Sequence, residues 1–234
     1  MVRHPTRKRF ELQSWIQLSP YENCHAQRAR GKPENEDFLL ARRHPGGGDR
    51  FICILADGQG GQSNGALAAR VACESAWSRA IEASFDTLLA PRAWEAELFA
   101  VDQAVCRTGG FTTLIALAVD PDSVAGASSG DSKVFFLGHE SGSEIEEWTS
   151  RQRKNPPVGS GEAVFASFAA NTTGGGRMLI VSDGVWKYCG YEAIRSALQV
   201  ADLADAPALL KSATPRRSGA SLPDDFSVIA VEVE

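Results

Sequence analysis

Two apolar runs in this sequence stop on an aspartate followed by a glycine. FICILADG, from Phe51, ends on Asp57, and MLIVSDG, from Met178, ends on Asp183. Two further runs are preceded by acids: Asp224 and Asp225 stand before FSVIAV, and Glu36 and Asp37 lead into FLLARR. Carboxylates at the ends of core strands can meet at one edge of a sheet. Gathered there, they repel one another unless cations neutralise them. An oxygen-only donor set with no paired His or Cys suits hard ions such as Mg²⁺ or Mn²⁺. Spacing alone leaves a simpler reading open at each position, because Asp-Gly after a strand also makes an ordinary turn.

Other chemistries fit the sequence less well. DGQGGQSNG, from Asp57, contains the G-x-G of a dinucleotide-binding turn, but Ser63 stands in place of the third glycine and Asp57 would face the pyrophosphate. No G-x-x-x-x-G-K-[ST] occurs. The five cysteines, Cys24, Cys53, Cys73, Cys106 and Cys189, include no C-x-x-C pair, and His4, His25, His44 and His139 do not join them at ligand spacing. Buried free thiols in a reducing cytosol are expected, and a zinc site is not.

The acids need strands and helices to bring them together. DFLLARR and RFICILA flank the turn cluster HPGGGD and read as a hairpin. RFICILA is apolar throughout, as in a strand covered on both faces. FELQSWIQL, from Phe10, is a further candidate strand. Helical periodicity runs from Ser63 to about Phe85, with Ser63 or Asn64 placed to cap it. PRAWEAELFAVDQAV carries proline in its first turn and predicts a second amphipathic helix. FTTLIALAVD, SVAGASSGD and SKVFFLG read as three consecutive antiparallel strands, with DPDS as the first turn. A polar, glycine-rich stretch with a weak strand at EAVFASF follows, and then GRMLIVSDG as a strong strand. GYEAIRSALQVADLADAPALLKSA reads as helical, PRRSGASLPDD as a loop and FSVIAVEVE as a last strand. This order, without repeats or linkers, predicts an α+β domain with helices covering antiparallel sheets.

Composition narrows the function classes. The 234 residues are 43% hydrophobic and 23% charged, ordinary for a globular domain. A net charge of −5 argues against nucleic acid as a partner, which would need a basic footprint. The basic start, residues 1–9, reads as a solvated arm and not as a signal peptide. No run is long enough for a membrane-spanning helix, so no membrane partner and a cytoplasmic location are expected.

The ordered set GKPENED, ADGQGGQSNG, GFTTLIAL, SGDSKVFFL, VSDGVW and DDFSVIAV spans from about Gly31 to the C-terminus. It resembles the metal-dependent protein phosphatases, the PPM or type 2C serine/threonine family, in a compact bacterial form. The resemblance implies a four-layer α-β-β-α sandwich over residues 10–234, with a metal site at one end of two antiparallel sheets. It implies two Mn²⁺ or Mg²⁺ ions, with Asp57 bridging them. The Gly58 carbonyl, and Glu36 and Asp37 largely through water, would serve the first ion, and Asp183 and Asp224 the second. Asp225 then stands in the position usually held by asparagine. Asp57, Asp183 and Asp224 would be catalytic in hydrolysing phosphoserine and phosphothreonine in proteins by a metal-activated water, without a cysteine nucleophile or a phosphoenzyme. A phosphoprotein substrate, a cognate kinase of opposite activity and a role in signalling are implied with it.

The sequence departs from the family pattern in several places. Lys32 replaces the arginine that grips the substrate phosphate, keeping the charge but losing the bidentate fork, and Pro33 follows it. Gln59 stands where some members carry a histidine, and His25 is the histidine nearest Lys32 in sequence. Asp131 matches an aspartate associated with a third, weaker ion, but the position of its usual partner is Lys187, whose charge would hinder that ion. The flap region, about 138–177, is short. These departures carry the alternative reading, a degenerate phosphatase-like module that binds metal or phosphoprotein for regulation with little activity.

Overall fold

Residues Phe51 to Ala56 are buried without interruption, because the strand that holds them is covered on both sides. Cys53 and Leu55 point into a core shared by two sheets, while Ile52, Ile54 and Ala56 point out against helices. That alternation is the two-residue period of a strand. The computed structural model describes residues 11–15 (backbone only), 35–46, 50–59, 64–139, 144–215 and 222–233. The basic arm, Cys24, His25, Lys32, Pro33 and Ser63 lie outside the described residues.

The strands are β1 (Glu11–Trp15), β2 (Asp37–Arg43), β3 (Phe51–Asp57), β4 (Leu114–Asp120), β5 (Ser123–Ser129), β6 (Lys133–Gly138), β7 (Glu146–Glu147), β8 (Ala166–Asn171), β9 (Gly176–Val181) and β10 (Val228–Val233). They form two five-stranded sheets, ordered β1-β10-β9-β6-β7 and β2-β3-β4-β5-β8, with every pairing antiparallel. Helices α1 (Gly65–Glu82), α2 (Phe85–Leu88) and α3 (Pro91–Cys106) cover the second sheet. Helices α4 (Asp183–Leu198) and α5 (Ala206–Ala213) cover the first. The result is a four-layer α-β-β-α sandwich. Its middle core joins Leu55, Ile115 and Leu117 of one sheet to Met178, Ile180 and Ile229 of the other. Each fully buried aliphatic side chain contributes about 1.5–3 kcal/mol.

The structure corrects several local expectations. β6 does not continue the sheet of β4 and β5: β5 pairs with β4 and β8, whereas β6 pairs with β9 and β7. The chain passes between sheets at Gly130, Asp131 and Ser132. Gly130 sits at φ +127, and a Cβ there would lie 2.5 Å from the Cβ of Thr113. Asn64 occupies the cap position of α1 at φ 75 without a side-chain cap bond. Its amide instead donates to the Thr108 carbonyl at 3.0 Å. The helical pattern expected to run on to about Phe85 stops at Glu82, and Phe85 begins the separate α2. The weak strand near EAVFASF begins only at Ala166. The helix expected from Gly190 starts at Asp183, kinks at Gly190 (φ 78) and ends at Leu198; a 3-10 turn, Leu203–Asp205, separates it from α5.

Candidate metal centre

Asp57 is the last residue of β3, and its main chain is fixed from both directions. Its N–H donates to Thr113 Oγ1 at 3.0 Å, and its carbonyl accepts from Thr113 N at 2.8 Å and Thr112 Oγ1 at 2.9 Å. With the backbone held, the carboxylate has one direction to take, out of the end of the sheet. Gly58 follows because no side chain fits: a Cβ would lie 2.5 Å from the Gly65 carbonyl oxygen and 2.6 Å from that of Glu36. The Gly58 N–H donates to the Glu36 carbonyl at 3.0 Å, which fastens the start of β2 beside the end of β3. Antiparallel register then sets Asp37 directly opposite Asp57.

Asp183 comes from the other sheet. It is the first residue of α4, directly after Ser182, which follows β9. A carboxylate there suits the positive end of the helix. Asp224 and Asp225 arrive on the segment leading to β10. A Cβ on Gly184 would lie 1.8 Å from the Asp225 carbonyl oxygen, so this glycine is what lets the segment close onto α4. Ser182 Oγ accepts from Ser227 N at 3.1 Å, and Asp225 Oδ2 accepts from Glu36 N at 2.8 Å. That last bond links the two sheets across the site.

These contacts bring Glu36, Asp57, Gly58, Asp183, Asp224 and Asp225 onto the wall of one cavity of about 520 Å³, together with Asp131, Lys154 and Gln59. Asp37 lies behind them, 2% exposed. Its pKa is pushed up to about 8, first by burial and then by the Asp225 carboxylate. Ser182 and Ser227 stand close enough to temper that rise, yet among the described residues neither Asp37 oxygen has a hydrogen-bond partner of proper geometry. Asp57 is also lifted well above the usual carboxylate range, by burial and then by Asp37 and Asp183. The charge that the site lacks is positive.

A divalent cation fits that need. The cavity wall offers carboxylate and carbonyl oxygens and no His or Cys, Asp57 and the Asp37 behind it are held far above their ordinary pKa, and among the described residues both Asp37 oxygens are buried without a hydrogen-bond partner. Among the described residues, no three His, Cys, Asp or Glu side chains are already drawn to the spacing of one ion's ligand shell. Unneutralised carboxylates resist that approach. Lys32, expected to bind phosphate, lies outside the described residues.

Asp131, at the crossing from β5 to β6, has a different environment. Lys154 Nζ and Lys187 Nζ both reach its Oδ2, at 2.7 and 2.8 Å, and Lys187 also reaches Asp183 Oδ2 at 2.7 Å. Burial works to raise the Asp131 pKa, but the two ammonium groups outweigh it and the net shift is downward. Partial burial opposes the charge on Lys187, but its bonds to Asp131 and Asp183 prevail and its pKa rises. Sequence reasoning missed Lys154, whose only signal was the basic stretch RQRK. It placed Asp225 in an asparagine position and did not see it as the cross-link to Glu36. It also read Asp102 as one more helical residue. Asp102 is fully buried in α3, and its carboxylate accepts from Gly159 N at 2.6 Å and Ala163 N at 3.2 Å. Those bonds anchor the loop that carries Val158, a wall of the cavity.

The sandwich is the fold of bacterial PPM serine/threonine phosphatases. Serine/threonine phosphatase Stp1 from Staphylococcus aureus superposes with a TM-score of 0.75 over 100% of this chain and 99% of its own, at 17% identity. The catalytic domain of serine/threonine protein phosphatase PstP, in complex with 2 manganese ions, gives 0.70 over 97% and 99% at 21% identity. RsbX in complex with magnesium gives 0.67 over 97% and 100% at 15% identity. No protein-family model and no curated protein sequence matches the chain.

Proposed function

We propose that this protein is a metal-dependent protein phosphatase that hydrolyses phosphoserine and phosphothreonine. The observation that carries the reading is the convergence of Asp57, Asp183 and Asp224, from separate elements of both sheets, on one cavity beside the buried Asp37, whose oxygens have no hydrogen-bond partner among the described residues. The neighbours in fold with manganese or magnesium in their structures support it. Asp57 would serve two ions, Gly58 and, through water, Glu36 and Asp37 the first, and Asp183 and Asp224 the second. Bound there, the ions would supply an acidified water and offset the charge on the phosphoryl oxygens. The chain's own part is to fix the carboxylates: Thr113 holds Asp57, Gly184 admits the Asp224 segment, and Asp225 ties it to Glu36. Lys32 would bind the substrate phosphate. The Lys187 ammonium, held between Asp131 and Asp183, would stand where a third cation could otherwise sit. A phosphoprotein substrate, an opposing kinase, a signalling role and a cytoplasmic location belong to the same reading. Among the described residues no helix is long and apolar enough to cross a membrane.

The test is hydrolysis of a small aryl phosphate and of phosphothreonine peptides with Mn²⁺, with Mg²⁺ and with excess chelator. Turnover is expected with either ion and is lost in chelator. Full turnover in chelator would overturn the mechanism. Tight binding of two ions without hydrolysis of any phosphoester would establish a binding module instead.

A further inference from the structure

A second cleft, of about 690 Å³, opens on the flank where the edge strands β7 and β8 of the two sheets lie. Its floor is aromatic. Trp148 stacks on Phe136 with ring centroids 4.8 Å apart and lies 6.4 Å from Phe168. Its rim is cationic: Arg92, at the start of α3, and Arg151 both line it. Both are exposed, and among the described residues neither makes a hydrogen bond or an ion pair. Two carboxylates also reach the cleft wall, but each is bonded to a residue of that wall, Glu95 accepting from Ser167 Oγ at 2.5 Å and Glu146 from Trp148 Nε1 at 2.8 Å, which leaves the two arginines as its charged groups without a partner among the described residues.

The cleft is joined to the candidate metal centre by one short stretch of chain. Trp148, Ser150 and Arg151 line the cleft, while Lys154, Pro157 and Val158 line the acidic cavity. This stretch is fastened to the crossing between the sheets: Gly130 N donates to the Arg153 carbonyl at 2.8 Å, and Gln152 Nε2 donates to the Ser132 carbonyl at 2.6 Å. From Arg151 to Lys154 the chain can span at most about 11 Å. An extended peptide covers that distance in about three or four residues.

We infer that this cleft is a docking site for an acidic segment of the phosphoprotein substrate, lying a few residues from the phosphorylated side chain. The inference rests on the phosphatase reading for its substrate but not for its binding chemistry. Two guanidinium groups without a partner among the described residues, beside half-buried aromatic rings, recognise carboxylates, and the outer edge of β8 offers an extended chain backbone partners. The division of charge fits: carboxylates and their ions take the phosphoryl group, and the arginines take the acids that flank it.

The experiment compares two phosphothreonine peptides, one with Asp and Glu three to six residues from the phosphothreonine and one with Ser and Gln there, along with a small aryl phosphate. The wild type is expected to prefer the acidic peptide. In the double variant Arg92→Glu, Arg151→Glu that preference should fall about five- to tenfold, through KM and not kcat, with the aryl phosphate unchanged. Arg92→Lys with Arg151→Lys should keep most of it. No preference in the wild type, or an equal loss on the aryl phosphate, overturns the inference. A labelled, unphosphorylated acidic peptide, followed by anisotropy, separates the two readings. If it binds the wild type and not the charge-reversed variant while no phosphoester is hydrolysed, the cleft stands and the phosphatase reading falls. If it binds neither, or if single-stranded RNA of equal charge binds better, the assignment to an acidic peptide is wrong.

Discussion

Asp57 and Lys187 meet the same carboxylate, Asp183, from opposite sides of the charge balance. Asp57 is held well above its ordinary pKa by burial, Asp37 and Asp183, so its charged form is disfavoured where no cation offsets it. Replacing the carboxylate by an amide removes the group proposed to serve both ions and leaves the fold's hydrogen bonds to the Asp57 main chain in place. Asp57→Asn should lower kcat by at least about a hundredfold, more than is typical for residues that only orient a ligand, and isothermal titration should show weaker Mn²⁺ binding. Lys187 contributes the opposite sign, already bonded to Asp131 and Asp183. In Lys187→Asp, a cation is exchanged for a ligand between two carboxylates. That variant should bind one more Mn²⁺ per chain than wild type and shift the Mn²⁺ concentration needed for half-maximal activity. Equal stoichiometry in the two proteins would refute the proposed role of Lys187.

At the scale of elements, the site depends on close approaches that one methyl group would prevent. Gly184, in the first turn of α4, has the Asp225 carbonyl where its Cβ would go. Gly184→Ala must push the Asp224–Asp225 segment away from the helix. A cost of about 1–3 kcal/mol is expected, read as a fall of about 2–12 °C in Tm for a chain of this size, together with lost activity. Gly190 is the matched control: its φ is 78 but a Cβ there meets nothing within 4 Å. Its ψ of 166 puts it in a region essentially reserved for glycine, so Gly190→Ala should cost about 2–3 kcal/mol of backbone strain and still leave activity close to wild type. Similar activity losses in both variants would show that the approach of Gly184 to Asp225 does not position the site. Asp102 acts between elements in the same way, because α3 holds the 158–163 loop through its two oxygens. Asp102→Ala leaves those two N–H groups without their acceptor and should destabilise by about 2–4 kcal/mol.

For the whole molecule, the acidic cluster ties stability to pH and to ions. Asp37 has a folded pKa of about 8 against 3.8 for the ordinary carboxyl, raised by burial and then by Asp225. Between those values the ion-free native state holds a proton that the unfolded chain has released. Its contribution to stability is therefore fully present below the unfolded pKa and is lost as pH rises through about 8. In chelator, Tm should be lower at pH 8 than at pH 6, and Asp37→Asn should flatten that slope. Adding Mg²⁺ should raise Tm most at pH 8, because an ion that binds only the folded state stabilises it and replaces the proton. A Tm in chelator that rises over this interval would contradict the placement of Asp37.

Strand and helix identity was largely legible in the sequence, because it follows from local periodicity. The run FICILAD is apolar at both alternating faces, and PRAWEAELFAVDQAVC has the spacing of a helix; the structure makes them β3 and α3. The order of elements also gave helices over antiparallel sheets, and the ordered motifs carried the resemblance that implied the sandwich and singled out the acids at its end. What the sequence alone did not determine was pairing across space. SVAGASSGD and SKVFFLG are neighbours in the chain but belong to different sheets, since the core is filled only when β6 pairs with β9 and not with β5. Asp225 meets Glu36 across 189 positions, and Lys154 meets Asp131 across 23. Asp102 becomes an anchor only because the 158–163 loop packs on α3. Short-range pattern fixes which face of an element is apolar. Which buried polar group finds which partner is decided when the layers close, because only then is water excluded and an unpaired charge made costly.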